Sequence, residues 1–293
     1  MYELIQVGEW TYYIDCPAKI GIYKCSENEV YIIDSGNDKD AGKRILKILT
    51  ANEWQLKGII NTHSHADHVG GNALIQQRTG CDIYGTPIEN VITKYTFLES
   101  ALLYGGYTCK PLRNKFLMAM PSNPTYDITQ NCPDGLEYIK LPGHYFDMIG
   151  IRTSDDIIFL ADSIFGENTI NKYHFFFIYD VKGYLETLDM VENMQAKLFI
   201  PSHAVQTEDI KPLIKINRDK IYEIINVILE ICIEKISYED ILKKIFDKYS
   251  LNMTFDQYVL VGSTVKSYLS YLYDKGDITY TFEENRMLWN IQK

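Results

Sequence analysis

The chain has 293 residues, of which 46% are hydrophobic and 23% are charged, a balance typical of a globular protein with a sizeable core. Its 39 acidic and 29 basic residues give a formal charge of -10, which argues against non-specific binding to nucleic acid or to an anionic membrane. No long apolar run and no basic leader is present, so we expect neither a membrane span nor a signal peptide. Six scattered cysteines without a Cys-x-x-Cys pair favour reduced thiols and a cytoplasmic location.

In chain order, the first part of the sequence alternates short apolar runs with helical patterns. The runs are bounded by Gly, Asp, Asn or Pro, which predicts strands buried on both faces. They lie at residues 31–33, 58–60, 157–160 and 198–200. Helical patterns follow at 40–50 and 71–79. This alternation predicts a layered α/β domain over residues 1–206.

One segment concentrates metal-ligating side chains directly after the predicted strand 58–60. It carries His63, His65, Asp67 and His68 within six residues. In an extended stretch, alternate residues point to the same side, so His63 and His65 can present two imidazoles together. Imidazole and carboxylate are the usual ligands of zinc and iron, and the segment is therefore a candidate metal site.

Three further candidate ligands each follow an apolar segment. His144 ends the run Leu-Pro-Gly-His, Asp162 ends Phe-Leu-Ala-Asp, and His203 ends Phe-Ile-Pro-Ser-His. Open α/β sheets build their sites at the carboxyl ends of strands, which is where these residues are expected. Five of the six histidines fall at such positions, so the sequence predicts one common site.

The complete His-x-His-x-Asp-His motif, followed in order by a later His, Asp and His, makes residues 1–206 resemble the metallo-β-lactamase superfamily. The resemblance implies an αβ/βα four-layer sandwich with a metal site at one edge. It also implies two divalent metal ions, with zinc expected first and iron or manganese as alternatives. Under this resemblance His63, His65 and His144 bind metal 1, Asp67, His68 and His203 bind metal 2, and Asp162 bridges both.

The same resemblance implies an enzyme in which a metal-bridged hydroxide attacks a small ester, thioester or lactone. Asp67 would act as the catalytic residue that orients this nucleophile while it ligates metal 2. β-Lactamases of the superfamily lack a carboxylate equivalent to Asp162, so the site resembles the glyoxalase II-like and lactonase-like branches instead. Two alternatives stay open: a metal-dependent endoribonuclease or phosphodiesterase, and a mononuclear iron enzyme of the persulfide-dioxygenase kind.

Two segments near the predicted ligands bear on substrate access. Residues 95–126 are rich in aromatic side chains and include Lys110, Arg113 and Lys115, which suits either a substrate-lining lid or a packed helical excursion. The bulky residues 145–150 replace the small-residue turn that many superfamily members have after the third histidine. We expect this loop to narrow the pocket.

The sequence pattern changes at residues 207–293, where we predict a small α+β domain resembling a winged helix. One helix is predicted over 213–236, a second opens at the capping box of Ser237, and a third runs from Thr254 to Gly276. A terminal β-hairpin follows, with strands at 278–282 and 287–291.

Charge argues against a nucleic-acid role for this C-terminal part. Residues 208–293 contain 12 Lys and Arg against 14 Asp and Glu, and the third helix lacks a basic cluster. We therefore expect a packing, lid or oligomerisation module. The partner expected for the whole chain is a small-molecule substrate, with no DNA and no membrane, and a homo-oligomer is compatible with the sequence.

Overall fold

Two facing β-sheets form the centre of the molecule in the computed structural model, which describes residues 2–292. The seven-stranded sheet contains β1 (Glu3–Gln6), β2 (Thr11–Asp15), β3 (Ile20–Lys24), β4 (Glu29–Ile33), β5 (Gln55–Ile60), β6 (Asp82–Gly85) and β7 (Tyr126–Asp127), paired in that order. The four-stranded sheet contains β8 (Leu136–Lys140), β9 (Ile149–Thr153), β10 (Ile157–Phe165) and β11 (Leu198–His203), paired in the order β11-β10-β9-β8.

Helices lie against both sheets and make up most of the C-terminal part. The first seven are α1 (Lys39–Ala51), α2 (Ala66–Val69), α3 (Asn72–Thr79), α4 (Pro87–Lys94), α5 (Phe97–Tyr104), α6 (Glu167–Tyr173) and α7 (Val181–Glu192). The C-terminal elements are α8 (Lys211–Ile231), β12 (Ile236–Ser237), α9 (Tyr238–Lys248), α10 (Phe255–Lys275), β13 (Ile278–Glu283) and β14 (Arg286–Ile291). Within residues 2–292, no helix combines the length and apolarity needed to cross a membrane.

The strand directions bring several chain turns to one edge of the sandwich. Strands β4, β5, β6 and β7 are parallel, and so are β10 and β11, whereas the other neighbours pair antiparallel. Parallel strands end on the same side of their sheet, and the loops that follow them meet there. The predicted strands at 31–33, 58–60, 157–160 and 198–200 are all confirmed.

The two sheets and the helices on their outer faces form four layers, with buried apolar side chains between them. Side chains such as Ile33, Ile60 and Phe159 fill the space between the two sheets. On the outer face of the first sheet, Ile45 and Leu49 of α1 pack over the strands, because their helical spacing places them on one apolar side. A third cluster covers the outer face of the second sheet with α7 and the C-terminal helices. The expected αβ/βα four-layer sandwich is confirmed.

The C-terminal elements follow the predicted order of three helices and a hairpin. Ser237 caps α9 by accepting a hydrogen bond from the Asp240 amide, and Thr254 caps α10 in the same way through Gln257. Gly276 ends α10 with a φ of 81°, a left-handed conformation that glycine adopts at little cost. The three short strands pair in the order β12-β14-β13. The winged-helix classification of this part stays a prediction.

Helix α8 is tied to the second sheet through one buried amide. Asn217 accepts hydrogen bonds from the Phe165 amide (3.0 Å) and from the Tyr184 hydroxyl (3.2 Å), and it donates to the carbonyls of Phe165 and Leu213 (both 2.8 Å). One apolar cluster also continues from β10 and α7 into α8, α9 and α10. The core is therefore continuous across residue 206, and the domain boundary placed there stays a prediction.

Replacing Asn217 with alanine tests this connection. Asn217→Ala leaves the buried amide and carbonyl of Phe165 without these partners, so the free energy of unfolding should fall by about 2–4 kcal/mol. Urea denaturation followed by circular dichroism measures the change. The exposed Asn252, replaced in the same way, serves as the control and should stay within about 0.5 kcal/mol of the wild type. Equal stability of both variants would show that the contact contributes nothing.

Candidate metal centre

All seven side chains predicted as ligands converge at the edge where the parallel strands end. The segment after β5 supplies four of them, and the second sheet and its loops supply the other three. They form two groups, and within each group the candidate ligand atoms lie within 4.8 Å of one another. The first group is His63, His65 and His144, and the second is Asp67, His68, Asp162 and His203.

Three imidazole nitrogens meet in the first group. The Nδ1 atom of His65 lies 3.1 Å from Nε2 of His63 and 3.0 Å from Nε2 of His144. Burial lowers the pKa of His63 well below its usual value, that of His65 to about 3 and that of His144 to about 4. The rings are therefore neutral near pH 7, and the neutral ring is the form that binds a metal ion.

Backbone geometry fixes the position of His144. Gly143 before it has a φ of 121°, and a Cβ atom there would lie 2.2 Å from the Tyr184 nitrogen of α7. Only glycine allows this close approach, which brings the loop against the helix. The Nδ1 atom of His144 then lies 2.9 Å from the carbonyl oxygen of Phe177, which leaves Nε2 facing the site.

The second group combines two carboxylates with two imidazoles. The Nε2 atom of His203 lies 3.3 Å from an oxygen of Asp67 and 3.3 Å from an oxygen of Asp162. The Nε2 atom of His68 lies 3.2 Å from the other oxygen of Asp162. Although burial lowers the pKa of His203, the carboxylates of Asp162 and Asp67 outweigh it and raise that pKa to about 10. The two carboxylates therefore supply negative charge that holds a cation at this position, either the imidazole proton or a metal ion that replaces it.

Asp162 is the residue that connects the two groups. Its Oδ2 atom also lies 3.6 Å from Nε2 of His144, so one carboxylate faces both sets of histidines. The sequence predicted Asp162 at the end of a strand, but the structure places it inside β10, which continues to Phe165. Two register shifts against β11 and a φ of 49° at Ala161 interrupt the regular ladder at this point. Such irregularities re-aim a side chain next to a site.

A buried aspartate that the sequence analysis missed orients His68. Asp34 follows β4, and its Oδ2 atom lies 2.8 Å from Nδ1 of His68. The same carboxylate accepts hydrogen bonds from the amide and hydroxyl of Thr62, both at 2.8 Å. This arrangement directs Nε2 of His68 into the site, as carboxylate partners of metal-binding histidines commonly do. His203 is oriented similarly, because its Nδ1 lies 2.9 Å from the Pro17 carbonyl oxygen.

Two buried glutamates were also missed. Glu89 of α4 accepts hydrogen bonds from the amide and hydroxyl of Ser64 (2.9 and 2.6 Å) and from the Asp147 amide (3.0 Å), which ties together two ligand-bearing loops. Burial raises the pKa of Glu89 to about 7. Glu99 of α5 places Oε1 at 3.9 Å from Nε2 of His65. Helices α4 and α5 therefore each place a buried glutamate beside the segments that carry the candidate ligands.

The donor set fits a pair of divalent cations. Among the described residues, Nε2 of His68 and Oδ1 of Asp162 are buried atoms without a hydrogen-bond partner, although they lie 3.2 Å apart. Buried polar atoms are rarely left unpaired, and an unpaired imidazole nitrogen beside an unpaired carboxylate oxygen is a donor pair that suits a cation. Seven nitrogen and oxygen ligands exceed the four of one tetrahedral zinc ion, which fits two metal positions.

A cavity of about 710 Å³ opens onto this site. Its floor includes ligands from both groups, and its walls come from the 95–126 insertion, the segment after β10 and the start of α10. Lys115 lines the cavity, whereas Lys110 and Arg113 do not. The bulky loop 145–150 does not narrow the pocket as expected, because none of its residues lines the cavity and Tyr145 is buried behind His65, with ring centroids 4.2 Å apart.

Comparison with known families agrees with this geometry. The sequence profile described as the metallo-beta-lactamase superfamily matches residues 14–203, which covers all seven converging residues. The chain belongs to the metallo-β-lactamase superfamily. The family predicted from the His-x-His-x-Asp-His motif is thereby confirmed.

Curated relatives within the superfamily match only part of their length. The hydroxyacylglutathione hydrolase GloC of Haemophilus influenzae is 27% identical over 140 residues, which cover 47% of this chain and 63% of that protein. The hydroxyacylglutathione hydrolase of a Bradyrhizobium species is 40% identical over 77 residues, covering 23% and 30%. That of Methylococcus capsulatus is 46% identical over 41 residues, covering 14% and 16%. The chain thus spans less than two thirds of these relatives.

Solved superfamily structures match nearly the whole chain. A beta-lactamase domain protein from Burkholderia ambifaria has a TM-score of 0.73 at 14% identity and covers 99% of this chain and 93% of its own. A metallo-beta-lactamase family protein from Thermus thermophilus has a TM-score of 0.69 at 13% identity and covers 96% and 98%. At such low identity the match concerns the fold alone. It extends over the C-terminal helices as well as the sandwich.

The Asp34–His68 contact generates a direct test. Asp34→Asn removes the negative charge that holds the His68 ring, and loss of such a partner typically weakens metal affinity by about 10- to 100-fold. Competition with a chromogenic chelator measures the affinity for Zn²⁺. Asp15→Asn, at the exposed end of β2, is the matched control and should bind like the wild type. Unchanged affinity in Asp34→Asn would exclude this role.

Proposed function

We infer that this protein is a dinuclear metal-dependent hydrolase that acts on a small ester, thioester or lactone. The observation that carries the proposal is the Asp162 carboxylate: Oδ1 lies 3.2 Å from Nε2 of His68, and Oδ2 lies 3.3 Å from Nε2 of His203 and 3.6 Å from Nε2 of His144, so one carboxylate contacts both histidine groups. A carboxylate in that position suits a pair of cations a few ångströms apart. Superfamily membership supports the same chemistry.

The proposed ligand assignment follows the two groups. His63, His65 and His144 would hold metal 1, Asp67, His68 and His203 would hold metal 2, and Asp162 would bridge them. Zinc is the first expectation for this nitrogen and oxygen donor set, with iron or manganese as alternatives. When bound, the two ions would lower the pKa of a coordinated water molecule and polarise the attacked carbonyl group.

The chain's own residues then position the reactants. Asp67 is half exposed to the cavity, so its carboxylate can accept a hydrogen bond from the attacking water while it ligates metal 2. In the reaction the water oxygen would form a new bond to the carbonyl carbon, the bond to the leaving sulfur or oxygen would break, and one proton of the water would pass to the leaving group. The partners Asp34, Phe177 and Pro17 hold the histidine rings in place throughout.

Charge and shape favour a small acyl substrate over a phosphodiester polymer. Among the described residues that line the cavity, the lysine and arginine side chains are limited to Lys115 and Lys172, and Lys115 is paired with Asp38 at 3.2 Å. A nucleic-acid backbone requires a longer positive track. Curated relatives named hydroxyacylglutathione hydrolase act, by their name, on an acyl-glutathione, which is a thioester. This likeness supports a thioester or a related acyl compound here.

Asp162→Ala tests the dinuclear site. Because the bridge contributes to both metal positions, the variant should fall from two bound metals per chain to at most one and lose at least about 100-fold in turnover. Elemental analysis and an aryl-ester assay measure the two effects, and circular dichroism should show an intact fold. Asp134→Ala, an exposed position, is the control. A wild-type content of one iron per chain with oxygen consumption would favour the mononuclear dioxygenase instead.

A parallel substrate panel tests the reaction class. Metal-loaded protein should hydrolyse small thioesters, lactones or aryl esters, with little cleavage of bis-aryl phosphodiesters or structured RNA, because the cavity offers few cations to a phosphate chain. His65→Ala should abolish the acyl activity. Efficient RNA cleavage that depends on His65, without acyl turnover, would replace the proposal with the endoribonuclease alternative.

A further inference from the structure

Three distant parts of the chain contribute to one apolar wall of the cavity. Leu117 comes from the 95–126 insertion, Phe177 from the segment between α6 and α7, and Leu260 from α10 in the C-terminal part. All three belong to or pack against a small hydrophobic cluster that is separate from the main core. The cluster's buried members are Leu103, Leu112, Leu117 and Val259. This cluster therefore supports the apolar wall independently of the main core.

Direct contacts hold the C-terminal side of this wall in place. The Asn114 side-chain amide donates a hydrogen bond of 3.0 Å to Asp256 in the first turn of α10. Farther along the same helix, the Thr264 hydroxyl accepts a hydrogen bond of 3.4 Å from the Ile178 amide, next to Phe177. These two contacts connect α10 to both of the other segments, so the position of Leu260 is fixed relative to the cavity.

The wall reaches the candidate ligands themselves. The ring of Phe177 lies 5.3 Å from the ring of His65 and 5.8 Å from that of His144, measured between centroids. A group held against Phe177 therefore lies beside the first histidine group. Leu260 is half-buried and lines the cavity, so its side chain is available for contact with a ligand. Polar residues Asn168 and Lys172 line another part of the same cavity.

We propose that Leu117, Phe177 and Leu260 form a subsite that binds the alkyl chain of the substrate's acyl group. The inference rests on the proposed hydrolase function and specifies its substrate class. Leu260 is the specificity-determining residue, because its half-buried side chain lines the cavity, whereas Leu117 is almost fully buried. That part consequently completes the catalytic cavity in addition to packing on the sandwich.

A chain-length series tests the subsite. Wild-type, metal-loaded protein is assayed with p-nitrophenyl acetate, butyrate, hexanoate and octanoate. The value of kcat/KM should rise by about two- to fourfold for each added methylene until the cavity is filled, since each buried CH₂ contributes a constant increment. Leu260→Trp should lower kcat/KM for the hexanoyl and octanoyl esters by about tenfold relative to acetyl, and Leu260→Ala should move the preference to longer chains. Ser270→Trp, exposed on the same helix, adds an equal ring and should keep the wild-type profile.

Binding of the carboxylate products separates this inference from the proposed function. Calorimetry with acetate and hexanoate needs no turnover, so it reports on the subsite even if no ester is hydrolysed. Hexanoate should bind more tightly than acetate to the wild type, and Leu260→Trp should remove the difference while metal content stays constant. Equal binding of both acids, or identical chain-length profiles in wild type and Leu260→Trp, would overturn the subsite. Absence of hydrolysis with selective hexanoate binding would contradict only the proposed reaction.

Discussion

A carboxylate buried within a sheet strand requires compensating positive charge, and Asp162 places that requirement at the centre of this molecule. It is almost fully buried in β10, and its oxygens lie 3.2 to 3.6 Å from the Nε2 atoms of His68, His203 and His144. The surrounding histidines are in turn held by Asp34 and by backbone carbonyls. The fold thus buries the Asp162 carboxylate, which costs free energy, together with the histidines that offset its negative charge.

Local signals made much of this fold predictable from the sequence. The helix ends are predictable because capping depends on residues within one turn, as at Ser237, Thr254 and Gly276. The His-x-His-x-Asp-His motif was equally local, and its family fixed the topology. That motif identifies four of the seven candidate ligands, the ends of apolar runs identify the other three, and the structure brings all seven together. Their roles as ligands stay a prediction.

Contacts between distant segments could not be predicted in the same way. Asp34 lies 34 residues before its partner His68, and nothing in its own surroundings distinguishes it from other aspartates that follow strands. Glu89 and Glu99 gave a weak signal, since each lies one helical turn from a buried residue, Ile92 or Leu103, and so on an apolar face. The irregularity of β10 at Asp162 depends on pairing with β11, which no local pattern encodes.

The C-terminal part has two physical connections to the sandwich, with different consequences. Asn217 joins α8 to Phe165 at the end of β10, close to Asp162, and therefore supports the strand that carries the central carboxylate. Asp256 and Leu260 at the start of α10 instead reach the cavity wall. Although no DNA-binding role is expected for the C-terminal part, its residues thus help to shape the cavity.

The proposed hydrolase function requires two metal ions at a separation that the Asp162 carboxylate can bridge. X-ray absorption at the zinc edge of the zinc-loaded protein measures that separation and the first ligand shell together. We expect a metal–metal scattering contribution at about 3.5–4 Å and a first shell of nitrogen and oxygen at about 2.0–2.2 Å. A first shell of that kind without any metal–metal contribution, in fully active protein, would contradict the dinuclear account.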